Sequence, residues 1–280
     1  MNIHQALEQA NKFLKKKYII SSALDSEILL SQVLNKDRKF LILNSKKDLT
    51  KKNLSNFTNL IKKRSKGEPI AYLTKKKFFW KYEFIVKKKV LIPRPDTEVL
   101  VEEILKLTKK NSKMTILDIG IGSGCILLSI LKERKNFFGV GIDVSKKCID
   151  ISKTNAFRLK IYNRVKLLKS SVDNFNYGKY DLIVSNPPYI NTLKLKCLER
   201  DIYDFEPKIA LDGGSNGLNK IKKVINKSSK LLKKKGILVL EIGFDQKNKV
   251  RNLLKSKGFC IKKIIKDLAK NDRCIISLKK

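Results

Sequence analysis

The segment best suited to chemistry is Asn186-Pro187-Pro188-Tyr189, which follows the apolar run Tyr180–Val184. Two successive prolines fix φ at about −65° and remove two N–H donors, and Pro187 keeps Asn186 extended. The segment therefore offers acceptors without competing donors, namely the side-chain oxygen of Asn186 and the carbonyl oxygen of Pro187, and Tyr189 adds an aromatic face. This combination suits an –NH2 group on a conjugated carbon, although a Pro-Pro turn that only ends a strand has the same local sequence.

A second group of residues forms a glycine-rich turn between a predicted strand, Thr115–Ile119, and a predicted helix. Glycines at such a turn let a ligand approach the backbone, and the helix N-terminus presents free N–H groups. Asp143 ends the next predicted strand, where a carboxylate can hold both hydroxyls of a ribose. The G-x-G-x-G spacing, with Asp118 two residues before it, favours S-adenosylmethionine over a dinucleotide. The predicted donor-binding residues are Gly120, Ile121, Gly122, Ser123, Gly124, Asp143 and Asn186.

Together these two groups predict methyl transfer to a planar, amide-like nitrogen. The lone pair of such a nitrogen is shared with the neighbouring carbonyl, and hydrogen bonds from both of its N–H groups to the protein would favour its rotation or pyramidalisation. Positioning then supplies much of the rate. No general base is evident, since the only histidine is His4. The predicted catalytic residues are Asn186, Pro187 and Tyr189, and the predicted substrate-binding residues are Asn186, Pro187, Pro188 and Tyr189.

The composition restricts the class of protein without deciding the function. The net charge of +37 comes from 54 Lys and 9 Arg against 26 acidic residues, and the lysines are spread along the whole chain. This leaves two interpretations open: compositional drift on solvated faces, or selected affinity for a nucleic-acid-bearing partner. Five dispersed cysteines without a C-x-x-C pair argue against a disulfide framework and a zinc site. No apolar stretch predicts a membrane span, and the N-terminus lacks the pattern of a secretory signal.

The hydrophobic patterns predict two domains that would position these residues. Three- and four-residue spacings predict a small helical bundle within residues 1–76, and the aromatic segment 77–92 predicts a β-hairpin linker. Residues 93–280 alternate strands with helices, which predicts a seven-stranded, mostly parallel Rossmann-like α/β domain. The link between the last two strands is too short for a parallel crossover, so one of them is expected to run antiparallel. The predicted strands are 115–119, 137–142, 165–168, 180–184, 237–242, 259–265 and 273–278.

The sequence resembles the N5-glutamine methyltransferases of peptide chain release factors, the HemK family, over nearly its whole length. This resemblance implies a helical domain that docks the release factor and a methyltransferase domain that modifies the glutamine of its Gly-Gly-Gln motif during translation termination. It further implies S-adenosyl-L-methionine as methyl donor, and we expect a monomer without a direct nucleic-acid substrate. The composition already predicts a reduced, metal-free protein of the cytoplasm. The resemblance rests on Gly67–Thr74, Phe79-Trp80, Leu91–Glu98, the glycine turn, Asn186–Tyr189, Phe205–Pro207, Ala210-Leu211, Glu241–Gly243 and Asn271–Arg273.

Three positions depart from the family pattern. Lys75 stands where the family has glycine after Thr74, and Ile121 replaces a threonine in the glycine turn. The family's Ser-Asp-aromatic sequence near the adenine is replaced by Ser170-Ser171-Val172, with Asp173 one place later. The residue that contacts the adenine is therefore left unassigned.

Two other functions compete with this interpretation. A DNA or RNA amino-group methyltransferase would share the Asn-Pro-Pro-Tyr segment and could use the positive charge. Against it, the sequence has no separate target-recognition domain and no aromatic–basic surface for a flipped base. A non-catalytic binding module that keeps the helical domain is disfavoured by the intact glycine turn and Asn186–Tyr189.

Overall fold

The computed structural model describes all 280 residues, which group into two compact units. The N-terminal unit comprises Met1–Lys76 together with Glu199–Phe205, and the C-terminal unit comprises Lys77–Leu198 and Glu206–Lys280. None of the helices has the length and apolarity that crossing a bilayer requires. The helices are α1 (Ile3–Lys15), α2 (Ser22–Leu34), α3 (Arg38–Leu43), α4 (Lys51–Ser65), α5 (Ile70–Thr74), α6 (Glu98–Leu107), α7 (Cys125–Glu133), α8 (Lys146–Arg158), α9 (Arg200–Phe205), α10 (Asn219–Leu231) and α11 (Lys247–Ser256).

The N-terminal unit is a helical bundle around a small apolar core. Asn2 starts α1 with a capping box, in which its side chain accepts from the Gln5 N–H and the Gln5 side chain accepts from the Asn2 N–H. A buried ion pair joins α4 to α2, with Arg64 Nε 2.7 Å from Asp25 Oδ2. The buried apolar side chains of this core are Ile3, Ala6, Ala10, Leu14, Leu29, Leu30, Leu41, Phe57, Ile61 and Leu73.

The C-terminal unit contains a two-stranded hairpin and a seven-stranded sheet in the order β5-β4-β3-β6-β7-β9-β8. β9 runs antiparallel to both of its neighbours, and the other adjacent strands are parallel. The seven-stranded α/β fold with one antiparallel strand is therefore confirmed. The strands are β1 (Lys76–Phe79), β2 (Tyr82–Ile85), β3 (Met114–Ile119), β4 (Phe137–Asp143), β5 (Val165–Lys169), β6 (Tyr180–Ser185), β7 (Leu232–Glu241), β8 (Phe259–Lys266) and β9 (Asp272–Lys279).

Helices cover both faces of the large sheet. Neighbouring residues on a strand point to opposite faces, so Ile116 packs into the core beneath α6, α7 and α8, while Leu117 packs beneath α10 and α11. Burial on both faces explains why the parallel strands have continuous apolar sequences.

The segment 77–92, predicted as a hairpin linker, forms strands over only part of its length. The hairpin strands end at Ile85, and residues 86–92 continue as turns and irregular backbone. Val86, Val90 and Ile92 are nevertheless buried. Apolar β-branched residues are typical of strands, but here they anchor a loop, which is why the sequence pattern overestimated the strand length.

Candidate active site

A cavity of about 240 Å³ lies at the carboxyl edge of the sheet, where β3 stands between β4 and β6. Ligands of open α/β sheets bind at such a point because loops from neighbouring strands diverge there. Gly124 and Tyr189 do not line the cavity. Eight of the ten predicted site residues do: Gly120, Ile121, Gly122, Ser123, Asp143, Asn186, Pro187 and Pro188.

The glycine turn follows β3 and brings bare backbone to the cavity. Gly120 and Gly122 have φ values of +82° and +57°, a region that side chains with a Cβ rarely adopt. Gly124, with φ of +84°, precedes α7, and a Cβ there would stand 2.7 Å from Leu128 Cδ1. Gly120 and Gly122 therefore leave room for a ligand, whereas Gly124 permits close packing behind the turn.

Ile121 contributes to this turn through its backbone. Its side chain is buried in the core, and a Cβ added to Gly141 would collide with it. Its N–H donates to the Ile142 carbonyl at 3.0 Å, which ties the turn to β4. The apolar residue at this position of the turn therefore has a structural role, because the Ile121 side chain fills the space beside Gly141.

Asp143 ends β4 with its carboxylate held by backbone donors. Oδ2 accepts from the Gly122 N–H at 3.0 Å and Oδ1 accepts from the Ser145 N–H at 2.8 Å. Burial raises the pKa of Asp143, and these two hydrogen bonds oppose the rise. The carboxylate is therefore fixed at the cavity wall, and its remaining lone pairs are available to hydroxyl groups of a ligand.

Asp118 lies beneath the glycine turn and not in the cavity wall. It is buried, and neither carboxylate oxygen makes a hydrogen bond. Burial raises the pKa of Asp118 to about 7; the nearby Leu127 N–H offsets part of this rise, and the charge of Asp143 adds to it. The Ser123 hydroxyl is buried without a hydrogen bond as well. The side chains of Asp118 and Ser123 thus place two buried polar groups beside the turn.

Asn186 follows β6, and its side chain is oriented by a residue that sequence reasoning did not single out. Asn186 Nδ2 donates to Thr97 Oγ1 at 3.1 Å, which leaves Asn186 Oδ1 as an acceptor toward the cavity. Thr97 is 2% exposed and also lines the cavity. Its only signal in the sequence is its place in the Leu91–Glu98 stretch.

Tyr189 points its hydroxyl away from the cavity, into a polar cluster. The hydroxyl donates to Glu241 Oε1 at 3.2 Å and accepts from Arg273 Nη1 at 3.3 Å. Arg273 also lies 2.9 Å from Asp267 Oδ2. Burial raises the pKa of Tyr189, and the charge of Glu241 adds to that rise. Glu241 and Arg273, from the Glu241–Gly243 and Asn271–Arg273 stretches, are further site residues for which the sequence alone suggested no role.

The loop after β5 forms the part of the wall where the adenine was expected. Ser170, Ser171, Val172 and Asp173 all line the cavity. The Asp173 carboxylate is paired with Lys223 of α10, and its backbone carbonyl accepts from Lys227 Nζ at 3.0 Å. Asp173, which stands one place later than the family's aspartate, therefore lines the cavity, but its carboxylate forms an ion pair with Lys223.

Two family models match the chain. The PrmC N-terminal domain matches residues 5–74, and the methyltransferase small domain matches residues 95–202. The first range falls within the N-terminal helices. The second includes the glycine turn, Asp143 and Asn186–Tyr189.

Solved structures share most of this fold at low sequence identity. A ribosomal protein L11 methylase from Lactobacillus delbrueckii subsp. bulgaricus superposes with a TM-score of 0.52 and 19% identity. The match covers 73% of this chain and 90% of that structure. At this identity the similarity shows the methyltransferase fold and nothing more specific.

Curated relatives align over the whole chain. The release factor glutamine methyltransferase of Clostridium acetobutylicum is 39% identical, covering 100% of this chain and 99% of the relative. That of Buchnera aphidicola subsp. Schizaphis graminum is 40% identical, covering 100% of both. The resemblance drawn from the motifs is thereby confirmed, and the nucleic-acid alternative is not favoured. The full-length identity shows that the chain is a member of the release factor glutamine methyltransferase family.

Proposed function

We propose that this chain methylates the side-chain amide nitrogen of the glutamine in the Gly-Gly-Gln motif of peptide chain release factors, with S-adenosyl-L-methionine as methyl donor. The observation that carries the proposal is the full-length similarity to release factor glutamine methyltransferases. It is supported by the cavity, whose wall combines a glycine turn with Asn186, Pro187 and Pro188.

The cavity residues fit this donor. The backbone of Gly120 and Gly122 faces open space, since a Cβ at Gly120 would meet no atom within 4 Å. Asp143 offers a carboxylate already held in position by two backbone N–H groups, which suits the two hydroxyls of a ribose. Ser123 keeps an unpaired hydroxyl in the same wall. When bound, S-adenosyl-L-methionine supplies a methyl group on a positively charged sulfur.

Asn186 and Pro187 would hold the amide that is methylated. Because Asn186 Nδ2 is engaged with Thr97, its Oδ1 is available to accept one N–H of the substrate, and the Pro187 carbonyl can accept the other. Pro188 extends the stiff wall, and Tyr189 supports it from behind through its bond to Glu241. With both N–H groups held, the nitrogen lone pair can turn out of conjugation, and positioning supplies the rate. Transfer would form the N–CH3 bond and break the S–CH3 bond, so that the donor would leave as a neutral thioether. The methylated nitrogen would then release one proton to solvent.

We assign a separate role to each predicted domain. Residues 1–76 would dock the release factor, residues 77–92 would link the domains, and residues 93–280 would bind the donor and catalyse methyl transfer. The match of residues 5–74 to a family-specific N-terminal model supports this assignment. We further propose that the protein acts as a monomer on a protein substrate, without a metal and without direct nucleic-acid recognition. Its substrate would place it in the cytoplasm, where translation ends.

Transfer of a labelled methyl group from S-adenosyl-L-methionine to purified release factor tests this function. We expect label in the release factor and none in a matched release factor whose Gly-Gly-Gln glutamine is replaced by asparagine. The Asn186→Ala enzyme provides the catalytic control. Label incorporated into DNA or RNA in parallel reactions, with none in the release factor, would contradict the proposal.

A further inference from the structure

Two predicted catalytic side chains, Asn186 and Tyr189, are connected to one buried carboxylate, that of Glu241. Tyr189 donates its hydroxyl proton to Glu241 Oε1 at 3.2 Å. Asn186 donates from Nδ2 to Thr97 Oγ1 at 3.1 Å, and Thr97 is a neighbour of the same Glu241 carboxylate. Glu241 is only 2% exposed. A single acidic group therefore lies behind both halves of the Asn186–Tyr189 segment.

Atoms without a hydrogen-bond partner indicate how Glu241, Thr97, Asn186 and Tyr189 are linked by hydrogen bonds. Glu241 Oε2 is buried and receives no hydrogen bond. Burial raises the pKa of Glu241 to about 7, and this rise is opposed first by the Thr97 hydroxyl and then by the charge of Arg273. Thr97 already accepts from Asn186, so its own proton needs an acceptor. Glu241 Oε2 lacks a donor, and the Thr97 hydroxyl is a neighbour of the Glu241 carboxylate, so this oxygen can serve as that acceptor.

We propose that Glu241 is a positioning residue that orients the Asn186 amide through Thr97 and the Tyr189 ring through its hydroxyl. An ionised carboxylate only accepts hydrogen bonds. When Glu241 is ionised, Thr97 must therefore donate to it and use a lone pair to accept from Asn186 Nδ2, which turns Asn186 Oδ1 toward the cavity. This inference rests on the proposed function, since it assigns Asn186 Oδ1 to the substrate amide.

The direction of this chain of hydrogen bonds matters because the two ends of an asparagine amide have almost the same shape. If Thr97 donated to Asn186 instead, the amide would present its NH2 group to the NH2 group of the glutamine. The acceptor would be lost without any change of residue. Arg273 supports the ionised form of Glu241, because its positive charge lowers the pKa of that carboxyl. Arg273 is held beside Tyr189 by its hydrogen bond to the Tyr189 hydroxyl and by its ion pair with Asp267, at 2.9 Å. The cluster is thus built to keep one acceptor facing the substrate.

Three substitutions test this role by steady-state kinetics on release factor. Glu241→Gln can donate as well as accept, and Thr97→Val removes the hydroxyl at nearly constant shape. We expect each to lower kcat on the order of 100-fold, as for the loss of one preorganised polar group. The KM for release factor and the donor Kd should change much less. Thr97→Ser restores the hydroxyl and should recover most of kcat. Thr108→Val is the matched control, because Thr108 is also buried and bonds to the Ile104 carbonyl.

A second readout does not depend on the substrate. In protein labelled with 15N-asparagine, the Asn186 side-chain amide signal is identified by its absence in Asn186→Ala. We expect it to shift in Glu241→Gln and Thr97→Val and to stay in place in Thr97→Ser and Thr108→Val.

Several results would overturn the positioning role. Wild-type kcat in Glu241→Gln, equal losses in Thr97→Ser and Thr97→Val, or an equal loss in Thr108→Val would each do so. An unmoved Asn186 signal in Glu241→Gln would do the same. A wild-type enzyme that leaves release factor unmethylated, but shows the expected Asn186 shifts, would instead refute the proposed function and leave the hydrogen-bond chain standing.

Discussion

Replacing Asp118 by asparagine should make the stability of the C-terminal unit less dependent on pH between pH 5 and pH 8. Asp118 is 1% exposed, and neither of its oxygens is hydrogen-bonded. Burial raises its pKa from 3.8 to about 7. A raised carboxyl pKa means that the folded state prefers the protonated form, so this group's contribution to stability is complete below pH 3.8 and is lost as pH rises through 7.

The size of the effect follows from the shift. About three pKa units correspond to about 4 kcal/mol, since one unit is about 1.4 kcal/mol. Linkage places about 3 kcal/mol of this loss between pH 5 and pH 8. Asparagine at position 118 cannot ionise, so its free energy of unfolding should lack this part of the pH dependence. The difference in free energy of unfolding between Asp118→Asn and wild type should therefore change in favour of the variant as pH rises from 5 to 8.

Denaturant unfolding at pH 5 and pH 8 measures this difference. The only tryptophan, Trp80, lies in the C-terminal unit, so its fluorescence reports that unit. Asp150→Asn, which changes an exposed carboxylate of α8, is the control. Titration of Glu241 is common to all three proteins and cancels to first order. If wild type and Asp118→Asn lost stability equally between the two pH values, the burial argument would be wrong.

Three further predictions concern the site. Asp143→Ala should weaken donor binding by on the order of 1.5–3 kcal/mol, because a charge-assisted acceptor is lost; calorimetry showing undiminished affinity would remove Asp143 from the site. Asn186→Ala should lose on the order of 2–4 kcal/mol of transition-state stabilisation, and Asn186→Asp should retain more activity because it still accepts. Single-turnover methylation that is equal in Asn186→Ala and wild type would refute this. Deletion of residues 1–76 should leave donor binding largely intact and abolish methylation of the whole release factor, whereas full-rate methylation would exclude docking by the helical domain.

Local sequence patterns were sufficient for the elements that carry the site. The run Thr115–Ile119 followed by closely spaced glycines predicted a strand, a turn and a helix, and the structure has β3 and α7 there. The end of β6 was predicted one residue from its position. These features are short-range, because strand periodicity, glycine freedom and proline stiffness act within a few residues of the chain.

Local patterns were misleading where burial came from a distant part of the fold. Val86, Val90 and Ile92 have the composition of a strand, yet they anchor a loop. β7 begins at Leu232, five residues before the predicted start at Ile237, and its pairing with β6 shifts register between Tyr180 and Leu182. The cause differs at the start of β7, because residues 233–235 are exposed lysines and residue 236 is glycine. This stretch therefore has no apolar pattern from which a strand could be predicted.

The sequence by itself determined the order of the strands along the chain, the two segments that carry the chemistry and the family to which they point. Only the tertiary structure decided what surrounds those segments. Thr97 meets Asn186 across 89 residues, and Arg273 meets Tyr189 across 84. Glu241 comes to the same place because β7 lies between β6 and β9. Such contacts depend on the order of strands in the sheet, and periodicity within a strand carries no information about its neighbours.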